Sequence, residues 1–283
     1  MAQNAGWFSE LVEDIGTGFS LKIKCKLHEE QTPYQKLEIY DTETFGKLMI
    51  LDGCTMVSTR DNFLYHEMMV HPVLFCHPAP RNVVIIGGGD CGTLREVLQH
   101  KPVQNAWQIE IDERVTRNAE KYFPELCTSN SDPRAHLVFE DGIAWIENAK
   151  PGSLDVIIVD STDPVGPAEG LFREPFFRAC HKALGPDGLL VQQSESPLVH
   201  AEKIIYPLHR TMRAAGFADT RTISFPMPLY PTGWWSATMA GKKAIGFARE
   251  QDARKLTFPT EYYTAEIHLG AFAQPAFFKK KIP

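Results

Sequence analysis

Apolar positions along this chain keep two rhythms, and the change from one to the other falls near residue 60. From about Phe8 to Ser58 the segments FSLKIKCKLHEE, YQKLEIYDTETFGKLMILDG and CTMVS read as short strands separated by turn signals. Leu37 and Ile39, then Leu48 and Ile50, recur every second residue, the spacing of half-buried strands, and the polar break Asp41–Thr44 with Gly46 supplies a hairpin turn. A small β domain over residues 1–61 is therefore expected. Residues 62–77, NFLYHEMMVHPVLFCH, read as a helix that bends or ends near Pro72 and opens a second region, 62–283.

Past Pro80 the period lengthens. Apolar runs at 83–86, 107–111, 136–139, 155–159 and 188–192 alternate with helical stretches at 92–100, 113–122, 142–149 and 173–184. That alternation predicts an α/β fold, a Rossmann-like doubly wound sheet wrapped by helices and preceded by the small β domain. A Pro-rich loop, PMPLYP at 226–231, followed by Lys243–Ala248, predicts a closing strand pair after a loop over the sheet's edge.

Composition narrows the function classes. The chain has 283 residues, 43% hydrophobic and 23% charged, enough for a sizeable core. Its formal charge of −6 and pI near 5.9 argue against a nucleic-acid partner, which a basic face would attract, and favour cationic ligands. No apolar run approaches the roughly 20 residues of a membrane helix, and the N-terminus lacks the basic and apolar regions of a secretory signal. Six scattered cysteines without C-x-x-C read as reduced thiols, with no disulfide framework and no zinc site. A cytoplasmic protein with no membrane partner is expected.

Chemistry concentrates at the ends of the apolar runs. Val83–Ile86 leads into Gly87-Gly88-Gly89-Asp90-Cys91-Gly92 and then a helical stretch, so glycine holds all three positions of G-x-G-x-x-G between strand and helix. Alone this is a weak signal. Glu110 follows the next strand at about the 20-residue offset where an acid accepts from ribose hydroxyls, while Asp112 reads as a solvated acid at a strand end. Asp141, before Gly142, suits both an adenine amino group and a helix N-cap. Asp90 beside a helix N-terminus would repel a pyrophosphate and also the carboxylate of S-adenosylmethionine, so the pattern suits an adenosyl ligand that carries an ammonium and no nearby negative charge. Asp160 ends LDVIIVD at the carboxyl edge of the sheet, with a turn cap as its plainer reading and Asp163 as a second acid of that turn. Tyr65 fits a helix core equally well. The string from His66 to His71 misses the H-E-x-x-H spacing by one residue, so no metal is assigned. Ser194 lacks a G-x-S-x-G elbow, Glu195 is a lesser amine ligand candidate, and Trp234 and Trp235 suit either a cover over the site or packing.

Together these strings resemble the spermidine synthases, the polyamine aminopropyltransferases. The likeness rests on Tyr65-His66-Glu67-Met68, on VVIIGGGD with LREV, on IEID at 109–112, on Asp141-Gly142, on Asp160-Ser161-Thr162-Asp163-Pro164 with GPAEGLF, and on YYTAEIHLGAF near the C-terminus. It implies a methyltransferase-like domain that moves an aminopropyl group from decarboxylated S-adenosylmethionine, a co-substrate rather than a bound cofactor, to putrescine, releasing methylthioadenosine. Carried over by position, Gln35, Glu110, Asp141, Gly142 and Pro167 would hold the adenosyl half, and Asp90 the aminopropyl ammonium. The amine would lie among Tyr65, His66, Asp160, Asp163 and Tyr230, with Asp160 as general base and Tyr65 beside it. A homodimer or homotetramer is implied as well.

Three positions depart from the family's habit. Cys91 stands where glycine is common, Met56 where glutamine is common and Thr59 where an acid is common. Their expected effect is on the choice of amine or on rate, with Cys91 narrowing the space near the transferred group. Two other functions share the pattern: a methyltransferase using S-adenosylmethionine, disfavoured by Asp90, and a catalytically silent adenosyl- or polyamine-binding protein.

Overall fold

The computed structural model describes residues 6–13, 15–162 and 166–279, and of Gly166 and Pro167 the backbone alone. Strands β1 (Trp7–Val12), β2 (Thr17–Gln31), β3 (Lys36–Thr42), β4 (Lys47–Leu51) and β5 (Cys54–Ser58) pair in chain order as an antiparallel sheet. The periodicity alone does not separate β1 from β2. Leu37, Ile39, Met49 and Leu51 bury one face against Val115 and Phe123 of the next layer, so the small sheet is packed on the α/β region and contributes to its cavity.

α1 (Asn62–Cys76) runs on through Pro72 without a break. The helix does not end there because it is buried along almost its whole length, and that packing outweighs the local cost of about 3 kcal/mol for an interior proline. Glu67 on α1 accepts backbone N–H bonds from Glu261, Tyr262 and Tyr263 at 2.7, 2.9 and 2.6 Å, which ties the C-terminal segment to this helix.

The larger sheet is mixed. β6 (Asn82–Gly87), β7 (Asn105–Ile109), β8 (Ala135–Val138), β9 (Leu154–Asp160) and β10 (Leu184–Gln193) are parallel, and β11 (Asp219–Pro226) with β12 (Trp234–Gly241) closes the edge antiparallel, in the order β11-β12-β10-β9-β6-β7-β8. Helices α2 (Gly92–Gln99), α3 (Glu113–Tyr122), α4 (Gly142–Asn148), α5 (Glu174–Ala183) and α6 (Tyr206–Ala214) wrap it. This is the expected Rossmann-like architecture. The closing pair flanks the 226–231 loop instead of following it; Lys243–Ala248 holds no strand, because β12 has already used the edge of β10 at Ala237–Gly241.

The chain leaves β6 toward β7 and β8 on one side and returns through β9 and β10 on the other. β6 and β9 therefore flank the point where strand order reverses, with Gly87 paired to Asp160 at their carboxyl ends. Ligands of doubly wound sheets bind above such a point.

Candidate active site

A cavity of about 380 Å³ opens there, lined by the glycine loop, Glu110, Asp141, Asp160, Gln35, Tyr65 and Tyr230 among others. The room exists because of two glycines. Gly88 has φ +66°, where side chains are strained, and a Cβ on it would lie 2.9 Å from Asp160 Oδ2. A Cβ on Gly89 would lie 2.8 Å from Glu110 Oε2. The loop thus passes its bare backbone between two carboxylates.

At one end of the cavity Glu110 is buried and accepts the Asp112 N–H at 2.9 Å. Burial pushes its carboxyl up to about 7. Asp141 caps α4 by accepting the Ile143 N–H at 2.8 Å, so it is cap and cavity wall together. Gln35 reaches over from the small sheet: its Nε2 donates to Asp112 Oδ2 at 3.0 Å, and Thr32 Oγ1 donates to the same oxygen at 2.7 Å. Asp112 is thus neither solvated nor idle. It caps α3 and is buried as the joint between the two sheets' loops.

At the other end Asp90 and Asp160 face α1. Tyr65 donates its hydroxyl to Asp160 Oδ1 at 2.7 Å, and Thr93, on the first turn of α2, donates to Oδ2 at 2.6 Å. His66 Nε2 lies 3.2 Å from Asp90 Oδ2, and Asp90 Oδ1 accepts the Gly92 N–H at 2.7 Å. Burial alone would raise Asp90, but the charge of His66, its hydrogen bond and the Gly92 N–H outweigh it and hold this carboxyl below its usual range. Burial would likewise lower His66, and the Asp90 charge instead raises it, so the two form an ion pair. Asp160 is displaced the other way, upward, by burial and by the charge of Asp90. A carboxylate whose proton affinity is raised toward neutrality is suited to accept a proton.

A second chamber of about 290 Å³ continues from the first and shares Cys54, Met56, Tyr65, Ser161, Thr162 and Tyr230 with it. Glu10, Gln193, Glu195, His200 and Trp235 line its far part. Tyr230 donates its hydroxyl to Met56 O at 2.7 Å, and its ring meets Tyr65 at 5.7 Å and Trp235 at 4.7 Å, both edge-on. Aromatic faces and carboxylates lining one tube favour an alkyl diammonium through charge pairing and cation–π contact. Trp234, by contrast, turns away to pack on Phe277. Ser194 is buried between β10 and β12, bonded to Ser236 at 3.0 Å.

The structure gathers Tyr65, His66, Asp90, Glu110, Asp141, Gly142, Asp160, Gln35 and Tyr230 around this one space. Asp163 lies outside the described residues, and of Pro167 only the backbone, in the 3₁₀ turn Gly166–Phe172, is described. No pattern in the sequence marks Thr93, Glu10 or Cys54 as part of this site. Thr93 sits in an ordinary amphipathic helix pattern, and the other two belong to strands whose alternation says nothing of what they face.

The three departures separate. Cys91 has φ +70° and is fully buried; its thiol, 3.5 Å from Gln108 Nε2, turns away from the cavity and does not line it. That positive φ is a conformation glycine adopts without strain. The expected narrowing by Cys91 is thus not what the structure has. Met56 lines both chambers. Thr59 fixes a turn, accepting the Lys47 N–H at 3.1 Å.

Known proteins share this architecture. A family model described as spermine/spermidine synthase domain matches residues 62–249, and one described as spermidine synthase tetramerisation domain matches residues 6–59. A polyamine aminopropyltransferase of Methylococcus capsulatus is 65% identical over 278 residues, 98% of this chain and 97% of that protein. One of Thioalkalivibrio sulfidiphilus is 62% identical over 283 residues, 100% and 99%. Among solved structures, a spermidine synthase in complex with the transition state analogue AdoDATO is similar at TM-score 0.93 and 36% identity, covering 99% of this chain and 96% of that one. The spermidine synthase from Thermotoga maritima is similar at TM-score 0.91 and 35% identity, covering 99% and 95%.

Proposed function

This chain belongs to the spermine/spermidine synthase family, and on that premise we propose that it is a polyamine aminopropyltransferase that moves the aminopropyl group of decarboxylated S-adenosylmethionine to putrescine, giving spermidine and methylthioadenosine. One observation carries the reading: two half-buried carboxylates, Asp90 and Asp160, line a chamber suited to a nucleoside, and Tyr65, which bonds to Asp160, is shared with a second chamber suited to a diammonium.

In this reading Glu110 accepts from the ribose hydroxyls, Asp141 and Gly142 with Pro167 and Gln35 frame the adenine side, and Asp90 with His66 holds the aminopropyl ammonium. The acceptor amine lies between Tyr65 and Tyr230, and its far ammonium reaches toward Glu10 and Glu195 in the second chamber; Asp163 would complete this group. Alkyl amines are protonated at neutral pH, as the lysine reference of about 10.4 illustrates, so the attacking nitrogen must lose a proton before or during transfer. Asp160 takes it. The amine then attacks the carbon bound to sulfur, the C–S bond breaks, and the sulfonium leaves as a neutral thioether, which asks for no oxyanion stabilisation. Most of the acceleration comes from orientation, worth about 7–11 kcal/mol when reacting atoms are held in near-attack geometry.

A methyltransferase would set the carboxylate of S-adenosylmethionine against Asp90, which disfavours it, and a silent binding protein, which would need Cys91 and Met56 to block the site, loses Cys91 because it stands clear of the cavity, while Met56 lines both chambers. Residues 1–61 serve as an oligomerising β domain and 62–283 as the catalytic domain, in a homodimer or homotetramer. Exposed Trp7, Leu11 and Leu27 on the small sheet fit such an interface, and no helix among the described residues is long and apolar enough to cross a membrane. A cytoplasmic location fits the same reading.

The test is incubation of the purified protein with decarboxylated S-adenosylmethionine and a panel of diamines. Equal amounts of methylthioadenosine and aminopropylated amine, with putrescine the best acceptor, are expected. Methyl transfer from S-adenosylmethionine, or binding without product, would replace the proposal.

A further inference from the structure

We infer that Thr93 is a positioning residue for Asp160: its hydroxyl and that of Tyr65 clamp the two carboxylate oxygens from two neighbouring helices and fix the orientation in which the base meets the amine. The inference rests on the reading of Asp160 as the base.

Threonine in a helix commonly turns its hydroxyl back to a carbonyl one turn earlier. Thr93 instead stands on the first turn of α2, fully buried, and sends its hydroxyl across to the end of β9. A buried hydroxyl must find an acceptor, and here the acceptor is a carboxylate, so the bond is charge-assisted and short. Each carboxylate oxygen has a further lone pair, so the clamp leaves Asp160 able to take a proton while denying it rotation about its side chain. Donors to the ionised form also oppose burial and the Asp90 charge, which push Asp160 toward neutrality.

Removing the hydroxyl has a signed consequence. Without Thr93 as donor the ionised form loses support, Asp160 rises further, and the acid limb of activity moves to higher pH. The other groups facing Asp160 are Tyr65 and His66 of α1, Asp90 of the glycine loop with Arg95 beyond it, Glu110 after β7 and Tyr230. All are retained when Thr93 alone is changed, so a displaced limb reports the hydroxyl.

The experiment is a pH series of kcat for wild type, Thr93→Val, Thr93→Ser, Asp160→Asn and the Thr93→Val/Asp160→Asn pair, with methylthioadenosine affinity measured beside each. Thr93→Val should lose roughly 10- to 100-fold at neutral pH, the worth of a hydrogen bond to a charged group, and recover part of it as pH rises. Thr93→Ser should restore the rate and the limb, methylthioadenosine should bind unchanged, and the pair should be no slower than Asp160→Asn alone. If Thr93→Val does not fold, Thr93→Ala is read by the same criteria. A loss equal at every pH, a loss that Ser does not restore, or a further loss on top of Asp160→Asn would overturn the inference. A fast Thr93→Val beside a slow Asp160→Asn would overturn it alone, whereas a fast Asp160→Asn would remove the base assignment itself.

Discussion

Replacing Glu110 by glutamine should make the unliganded protein more stable and its nucleoside site weaker, by amounts that depend on pH. Glu110 is buried, its ordinary carboxyl value of 4.5 is raised to about 7, and the leading cause is desolvation. Because the folded-state value is raised, the stability this group contributes is greatest below about pH 4.5 and is lost as pH rises through 7. A neutral amide of the same shape can still accept the Asp112 N–H and carries no charge to desolvate. The expected gain for Glu110→Gln, from linkage between 4.5 and about 7, is about 1 kcal/mol at pH 5.5 and about 3 kcal/mol at pH 8.5. Urea unfolding at both pH values and one protomer concentration measures it. Affinity for methylthioadenosine should fall roughly 10- to 100-fold at pH 8.5, since ribose hydroxyls lose a charged acceptor. Calorimetry in two buffers should also show proton release on binding to wild type near pH 7 and none in the variant. A stability difference that is the same at both pH values, or a variant less stable at pH 8.5, would refute the claim that buried charge is the cost this site carries.

The same geometry sets four further outcomes. Asp160→Asn should lower turnover about 10²–10⁴-fold with partial recovery at high pH and unchanged methylthioadenosine binding; an unchanged kcat would move the base to another acid. Asp90→Asn should erase most of the preference for decarboxylated over ordinary S-adenosylmethionine, read by calorimetry with both forms, and a preserved preference would show that charge is not the discriminator. Met56→Gln should alter the profile over diamine length while Cys91→Gly leaves that profile alone and raises the unfolding midpoint by relieving the φ +70° strain, about 1 kcal/mol; an altered profile in the latter would contradict the placement of its thiol. Light scattering at micromolar protein should give a multiple of the 31.9 kDa protomer, and a monomeric mass would rule out the exposed sheet as an interface.

The alternation of apolar runs determined the order of strands and helices from Pro80 to Gln193, and strand-end acids such as Glu110, Asp141 and Asp160 were legible because a parallel sheet presents its carboxyl ends to ligand wherever it folds. The glycine loop was legible for a similar reason: a run of glycines between strand and helix has few uses other than close backbone approach. Tertiary structure decided what local pattern does not encode. Pro72 stays inside α1 because burial, summed along the helix, exceeds a local cost that sequence alone would let prevail. Asp112 became a buried joint through Thr32 and Gln35, some eighty residues away, and Thr93 met Asp160 across a similar distance. The direction of the Cys91 thiol was likewise set by a left-handed backbone that turns its Cβ away from the cavity. Periodicity reports which face of an element is apolar, whereas a hydrogen bond between distant residues depends on how two elements are oriented against each other, and that orientation exists only once the layers have packed.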